Sequence, residues 1–158
     1  MPVVRLLLTV LSLASASLAH AQAAPIHVMR HLDTPAGVPD PDLTEQGRRN
    51  AARLDAWFRG KPLAAIYVTD FKRTRQTVAP LAMRLGLSPK VYDPRDTPGL
   101  ITALRREREP VLVVGHSNTV PDIVEQLGGA RPAPISHPDF GDLWIVRDGR
   151  TELVDLER

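Results

Sequence analysis

The chain has 158 residues, 43% of them hydrophobic, with 20 Lys and Arg against 18 Asp and Glu. So even a balance provides no field that would gather nucleic acid or an anionic membrane surface. The sequence contains no cysteine, which excludes disulfides, thiolate nucleophiles and Cys-ligated metal, so any nucleophile must be His, Ser, Thr, Asp, Glu, Lys or Tyr.

Met1 to Ala23 does not read as part of a fold. Arg5 precedes an apolar run from Leu6 to Leu18, and Ala19-His20-Ala21-Gln22-Ala23 offers cleavage after Ala21 or Ala23. The run falls short of the ~20 apolar residues that a membrane-spanning helix needs. The segment is therefore expected to be a cleavable signal peptide, with a periplasmic or secreted destination and no stable membrane anchor after cleavage. Residues 24–158 are expected to form a single domain, long enough for a core of its own.

The mature part alternates strand and helix signals. An apolar run at Ile26, Val28 and Met29 ends in Arg30-His31, and Leu32 to Asp42, rich in Pro, Gly and Asp, reads as a loop. Thr44 is placed to cap a helix carrying Ala51, Leu54, Trp57 and Phe58 at helical spacing. Arg48, Arg49 and Arg53 lie off that stripe as a solvated face. Ala64 to Thr69 is a second strand, ending in Asp70-Phe71-Lys72-Arg73. The helix after it carries Val78, Leu81, Ala82 and Leu85 and stops at Gly86; Pro80 predicts either a kink or a later start of its regular part. Lys90 to Tyr92 is a weak strand, and Asp96-Thr97-Pro98 opens a helix that Glu109-Pro110 closes.

Val111 to Gly115 is the strongest strand signal, apolar throughout as in a central parallel strand covered on both faces. His116-Ser117-Asn118-Thr119 leads into a helix with Ile123, Val124 and Leu127, and a Pro-rich loop follows from Ala130 to Gly141. Leu143 to Val146, the Asp148-Gly149 turn and Thr151 to Leu156 make a hairpin. The expected fold is α/β with three layers: a mostly parallel central sheet, helices on both faces and a C-terminal β-hairpin.

Parallel strands deliver their carboxyl ends to one edge of the sheet, where ligands of such folds collect. Three strand ends here carry Arg30-His31, Lys72-Arg73 with Arg75, and His116 with Ser117 and Asn118. Two guanidiniums, two imidazoles and an amide make a pocket of donors suited to a tetrahedral polyanion such as phosphate, and an arginine fork fits two phosphate oxygens. The helix after Asn118 would add its N-terminal N–H groups. Arg75 is expected to face outward, His27 has no role, and His137 reads as loop with access to the substrate side.

The four segments V-M-R-H-L-D-T, L-T-E-Q-G-R-R-N-A, T-D-F-K-R-T-R-Q-T and V-V-G-H-S-N-T-V, in this order, resemble those of the histidine phosphatase (phosphoglycerate mutase-like) superfamily, closest to its small secreted or periplasmic members. The likeness runs over nearly the whole mature chain. It implies a phosphatase in which His31 is the nucleophile and forms a phosphohistidine. Arg30, Arg73 and His116 would hold the phosphoryl oxygens, with Asn118 also on phosphate and no metal or cofactor required.

Two departures from the family pattern stand out. Leu32 replaces a small residue after the nucleophile, predicting a narrower mouth, and Ser117 follows the second histidine where many relatives have an acid. Asp33, Asp93, Asp96 and Asp122 are the candidates for the proton donor, with Asp96 ranked first. Asp96 can equally be an N-cap, Asp122 a first-turn acid, and Asp33 an orienting group for His31. If no acid is in reach, the substrate needs a good leaving group, such as a phosphoramidate. The expected partner is a small phosphorylated substrate or a phosphoprotein. Two other readings remain: a non-catalytic binding module for a phosphate ligand or phosphoprotein, and a metal-dependent hydrolase built on His31, His116 and Asp33, which the neighbouring arginines disfavour.

Overall fold

The computed structural model describes residues 23–158, so the expected signal peptide lies, but for its last residue, outside the described residues. Six strands form one mixed sheet in the order β3-β2-β4-β1-β5-β6. They are β1 (Ile26–Arg30), β2 (Ala65–Val68), β3 (Lys90–Val91), β4 (Val111–Gly115), β5 (Asp142–Arg147) and β6 (Arg150–Asp155). The first four run parallel to one another, and β5 and β6 add an antiparallel hairpin beside β1. Its turn, Asp148-Gly149, has both residues at positive φ, as a two-residue hairpin loop requires.

The period-two pattern of the strands sorts their side chains to two cores. Met29, Ile66, Val68, Leu112 and Val114 pack under α1 (Glu45–Trp57) and α2 (Lys72–Leu85). Val28, Tyr67, Val111 and Val113 pack under α3 (Thr97–Leu104) and α4 (Val120–Gln126). The result is helix, sheet and helix in three layers. Among the described residues no helix is long and apolar enough to cross a membrane.

Two elements depart from expectation. The third helix stops at Leu104 rather than near Glu109-Pro110. Its apolar face, Leu100, Ile101 and Leu104, ends there, and the Arg- and Glu-rich stretch that follows offers nothing to bury. The second helix does not start late to avoid Pro80 but runs from Lys72 through it. Its first half is tied to the loop before the first helix, because Lys72 N–H donates to Asp40 and the Gln76 carboxamide accepts from Leu43 N–H and donates to Asp42. Those bonds offset the one that proline cannot make.

Candidate active site

Register places His31 and His116 together. Arg30 pairs with Gly115 across β1 and β4, and His31 N–H donates to the Gly115 carbonyl at 2.9 Å. The next residue on each strand is therefore His31 and His116, whose rings meet edge to face with centroids 5.5 Å apart. Gly115 is required here, because a Cβ would lie 2.9 Å from Thr119 Oγ1 and 3.0 Å from the Tyr92 hydroxyl. That Thr119 oxygen accepts from His116 N–H and fixes the turn after the strand.

His31 is buried, and its Nδ1 lies 2.9 Å from the carbonyl oxygen of Leu32. A carbonyl only accepts, so Nδ1 carries the hydrogen and the lone pair rests on Nε2. Burial, with Arg30, His116 and Arg73 nearby, holds the imidazole down to about 3 despite the opposing bond to Leu32. The ring is therefore neutral at physiological pH, with a lone pair on Nε2. His116 is held down to about 4 by burial first and then by Arg73 and Arg30. Its Nδ1 accepts from Arg73 Nη2 at 3.3 Å, and its Nε2–H donates to Thr69 Oγ1 at 2.9 Å.

Both guanidiniums are positioned by aromatic rings and by hydrogen bonds. Arg30 stacks 4.1 Å from the Phe140 centroid and uses both Nη1 hydrogens on the carbonyls of Ser136 and Asp139. Its Nε–H is buried without a hydrogen-bond partner among the described residues. Arg73 stacks 4.3 Å from the Phe71 centroid, and its Nη1 reaches Asp40 Oδ1 at 3.3 Å. Burial lowers the proton affinity of both guanidiniums, but two cations at the wall of one hollow remain cations. That hollow, about 490 Å³, is lined by Arg30, His31, Arg73, Phe71, His137 and the Thr34 to Pro41 loop. A larger one, about 880 Å³, opens at the amino ends of β1 and β4 around His27 and Trp57. The two histidines and two arginines brought together by the register lie at the carboxyl edge, where ligands of such folds collect.

The structure thus gathers Arg30, His31, Arg73 and His116, and leaves other expected residues elsewhere. Asn118 is exposed and lines a separate hollow with Ser117 and Arg131, because the turn closed by Thr119 directs it outward. The helix expected to offer its N-terminus starts only at Val120 and has seven residues. Asp96 is exposed and caps α3, accepting from Gly99 N–H. Asp93 pairs with Arg95, and Asp122 with Arg131. Asp33 shares the Asn50 carboxamide with Glu157. Arg75 faces solvent beside Asp70.

Leu32 corrects the expectation of a narrowed mouth: it is fully buried in the core beneath α1 and α2, so its bulk never meets the hollow. His27 turns onto Trp57 and Phe58 and donates Nδ1–H to the Val111 carbonyl. Sequence reasoning missed Thr69, Phe71, Phe140 and Asp40. An aromatic directly before a basic run was the one available hint, at Phe71.

A family model described as the histidine phosphatase superfamily (branch 1) matches residues 20–95, the part that holds Arg30, His31 and Arg73. A solved Nakamurella multipartitia protein assigned to the phosphohistidine phosphatases SixA is 25% identical, with a TM-score of 0.57 over 81% of this chain and 86% of that one. The protein histidine phosphatase SixA complexed with tungstate is 23% identical with a TM-score of 0.62, covering 82% of this chain and 94% of the other. A mycobacterial glucosyl-3-phosphoglycerate phosphatase shares the fold at 15% identity and a TM-score of 0.63, over 78% and 89% of the two chains. The Mycobacterium tuberculosis protein PE_PGRS11 is 36% identical over 81 residues, which span 46% of this chain but only 14% of that protein. With two histidines and two arginines at one sheet edge, on this fold and in this motif order, the chain is similar to the histidine phosphatase superfamily, whose model matches it over residues 20–95.

Proposed function

We propose that this protein is a phosphatase that cleaves a phosphomonoester or phosphoramidate through a phosphohistidine on His31, without a metal ion. The observation that carries the reading is the His31 tautomer: with Nδ1–H committed to the Leu32 carbonyl, the Nε2 lone pair is free beside Arg30, Arg73 and His116. Nε2 bonds to phosphorus as the bond to the leaving group breaks, which splits one hard displacement into two easier ones. Arg30 Nε–H, buried without a hydrogen-bond partner among the described residues, would gain a phosphoryl oxygen, and such a donor costs about 1–3 kcal/mol while unsatisfied. A bound phosphoryl dianion would also raise His116, turning its Nδ1 from acceptor to donor.

None of Asp33, Asp93, Asp96 and Asp122 lines the hollow. With none of these four acids at hand, a leaving group that departs as a weak base is favoured, which means phosphoramidates and aryl phosphates over alkyl esters. Two arginines in the wall repel a metal cation. Reaction outside the cytoplasm follows if Met1 to Ala23 acts as an export signal.

The test is turnover of an aryl phosphate and of a phosphohistidine peptide by wild type and His31→Ala, with vanadate or EDTA added. Wild type should trap acid-labile phosphate, be inhibited by vanadate and ignore EDTA, while His31→Ala should still bind phosphate but not turn over. Activity in His31→Ala, or its loss with EDTA, would refute the reading. Phosphate binding by wild type without turnover would mark a binding module instead.

A further inference from the structure

Among the described residues lining the hollow, Asp40 is the single carboxylate. Its Oδ1 accepts from Lys72 N–H at 2.9 Å and from Arg73 Nη1 at 3.3 Å. The other terminal nitrogen of the same guanidinium reaches His116 Nδ1. Asp40 and His116 therefore sit on the two sides of the fork that would hold the phosphoryl group. Two N–H donors already occupy Oδ1, which leaves no hydrogen there to give and leaves Oδ2 as the oxygen that can accept one.

We propose that Asp40 is the general base of the second half-reaction, a role that rests on the phosphohistidine reading above. Water attacks phosphorus, its proton passes to the Asp40 carboxylate, and the bond from phosphorus to His31 Nε2 breaks with the electron pair returning to nitrogen. Neutral His31 and inorganic phosphate result, and the proton on Asp40 then leaves with phosphate or to solvent. The first half-reaction draws no proton from Asp40. The substrate class narrows accordingly to compounds whose leaving group needs no acid: nitrogen-bound phosphoryl groups and esters of acidic hydroxyls.

The test is Asp40→Asn, which keeps an oxygen for Lys72 N–H and suits a residue at φ 41, since asparagine tolerates the left-handed region. Rapid-quench measurement with an aryl phosphate should show phosphorylation of His31 within a few-fold of wild type. Steady turnover should fall about 100-fold or more, the usual contribution of a general base, with nearly one acid-labile phosphate accumulating per protein. In Asp40→Ala, a second route should the first variant not fold, added formate should speed phosphohistidine breakdown and leave wild type unchanged.

Slower phosphorylation, with a deficit that grows with leaving-group basicity, would make Asp40 an acid and overturn the inference. Unchanged rates would leave it a mere pin for the loop, and equal losses in both steps with weaker phosphate binding would make it a holder of Arg73; either overturns the base role. No phosphohistidine in wild type would instead sink the phosphatase reading, a result that these variants do not produce.

Discussion

Thr69 Oγ1 lies 2.9 Å from Nε2 of His116, at the end of a strand whose register with β4 aligns it with the start of the histidine turn. The hydroxyl is fully buried and passes its own hydrogen to Thr74 Oγ1, which in turn donates to the Thr69 or Phe71 carbonyl. This chain has one consistent direction. Arg73, which can only donate, sets the far end by pointing at Nδ1, and the threonines accept the hydrogen that Nε2 must then carry. Thr69 thus chooses the tautomer that lets Arg73 and His116 stand side by side.

Replacing Thr69 by Val keeps the shape and removes the acceptor. His116 must then leave Nε2–H unpaired, at about 1–3 kcal/mol, or move the hydrogen to Nδ1, where it faces the Arg73 donor. Turnover in Thr69→Val should fall about 10- to 100-fold, since each 1.4 kcal/mol is a factor of ten. Nitrogen chemical shifts of His116 should show a changed tautomer balance. Full activity with an unchanged His116 spectrum would remove Thr69 from the mechanism.

Much of this site was legible because it hangs on strand ends. Arg30, His31 and His116 end apolar runs whose parallel pairing follows from their composition, and Arg73 follows the third such run. Local signals also succeeded: Thr44 does cap α1, accepting from Gly47 N–H. What the sequence hid depends on contacts between distant segments. Asp40 meets Arg73 across 33 positions and Thr69 meets His116 across 47. Phe140 finds Arg30 only because a Pro-rich loop folds back over it. Asn118 shows the converse error, since two residues from His116 the chain has already turned outward.

Acid should destabilise this fold early. His31, His116 and His27 are all lowered by burial, the first two to about 3 and about 4. Below the ordinary value near 6.5, the unfolded chain binds protons that the folded one refuses, so stability is present above that value and is lost as pH falls toward the folded values. Each histidine contributes about 1.4 kcal/mol per pH unit within that window. Asp142 and Glu157, raised chiefly by burial, act in the opposite direction. Denaturant unfolding at pH 7, 6 and 5 should therefore show falling stability, and His116→Gln should flatten the slope by about one proton. A flat profile from pH 7 to 5 would mean these rings are not held neutral. Turnover should show no loss near pH 6.5 attributable to His31.

Leu32 is a large side chain where a small neighbour of His31 was expected. Its side chain is buried among Leu43, Leu54, Leu81 and Leu143, while its N–H donates to Thr77 Oγ1 and its carbonyl accepts from His31 Nδ1. The backbone serves the site and the side chain serves the core. Leu32→Ala should cost about 2–5 kcal/mol, the transfer loss plus the cavity left behind. The hollow should not widen, so KM for bulky and slender aryl phosphates should keep its wild-type ratio wherever the variant stays folded. A variant of native stability that newly accepts bulky substrates would show that Leu32 guards the mouth after all.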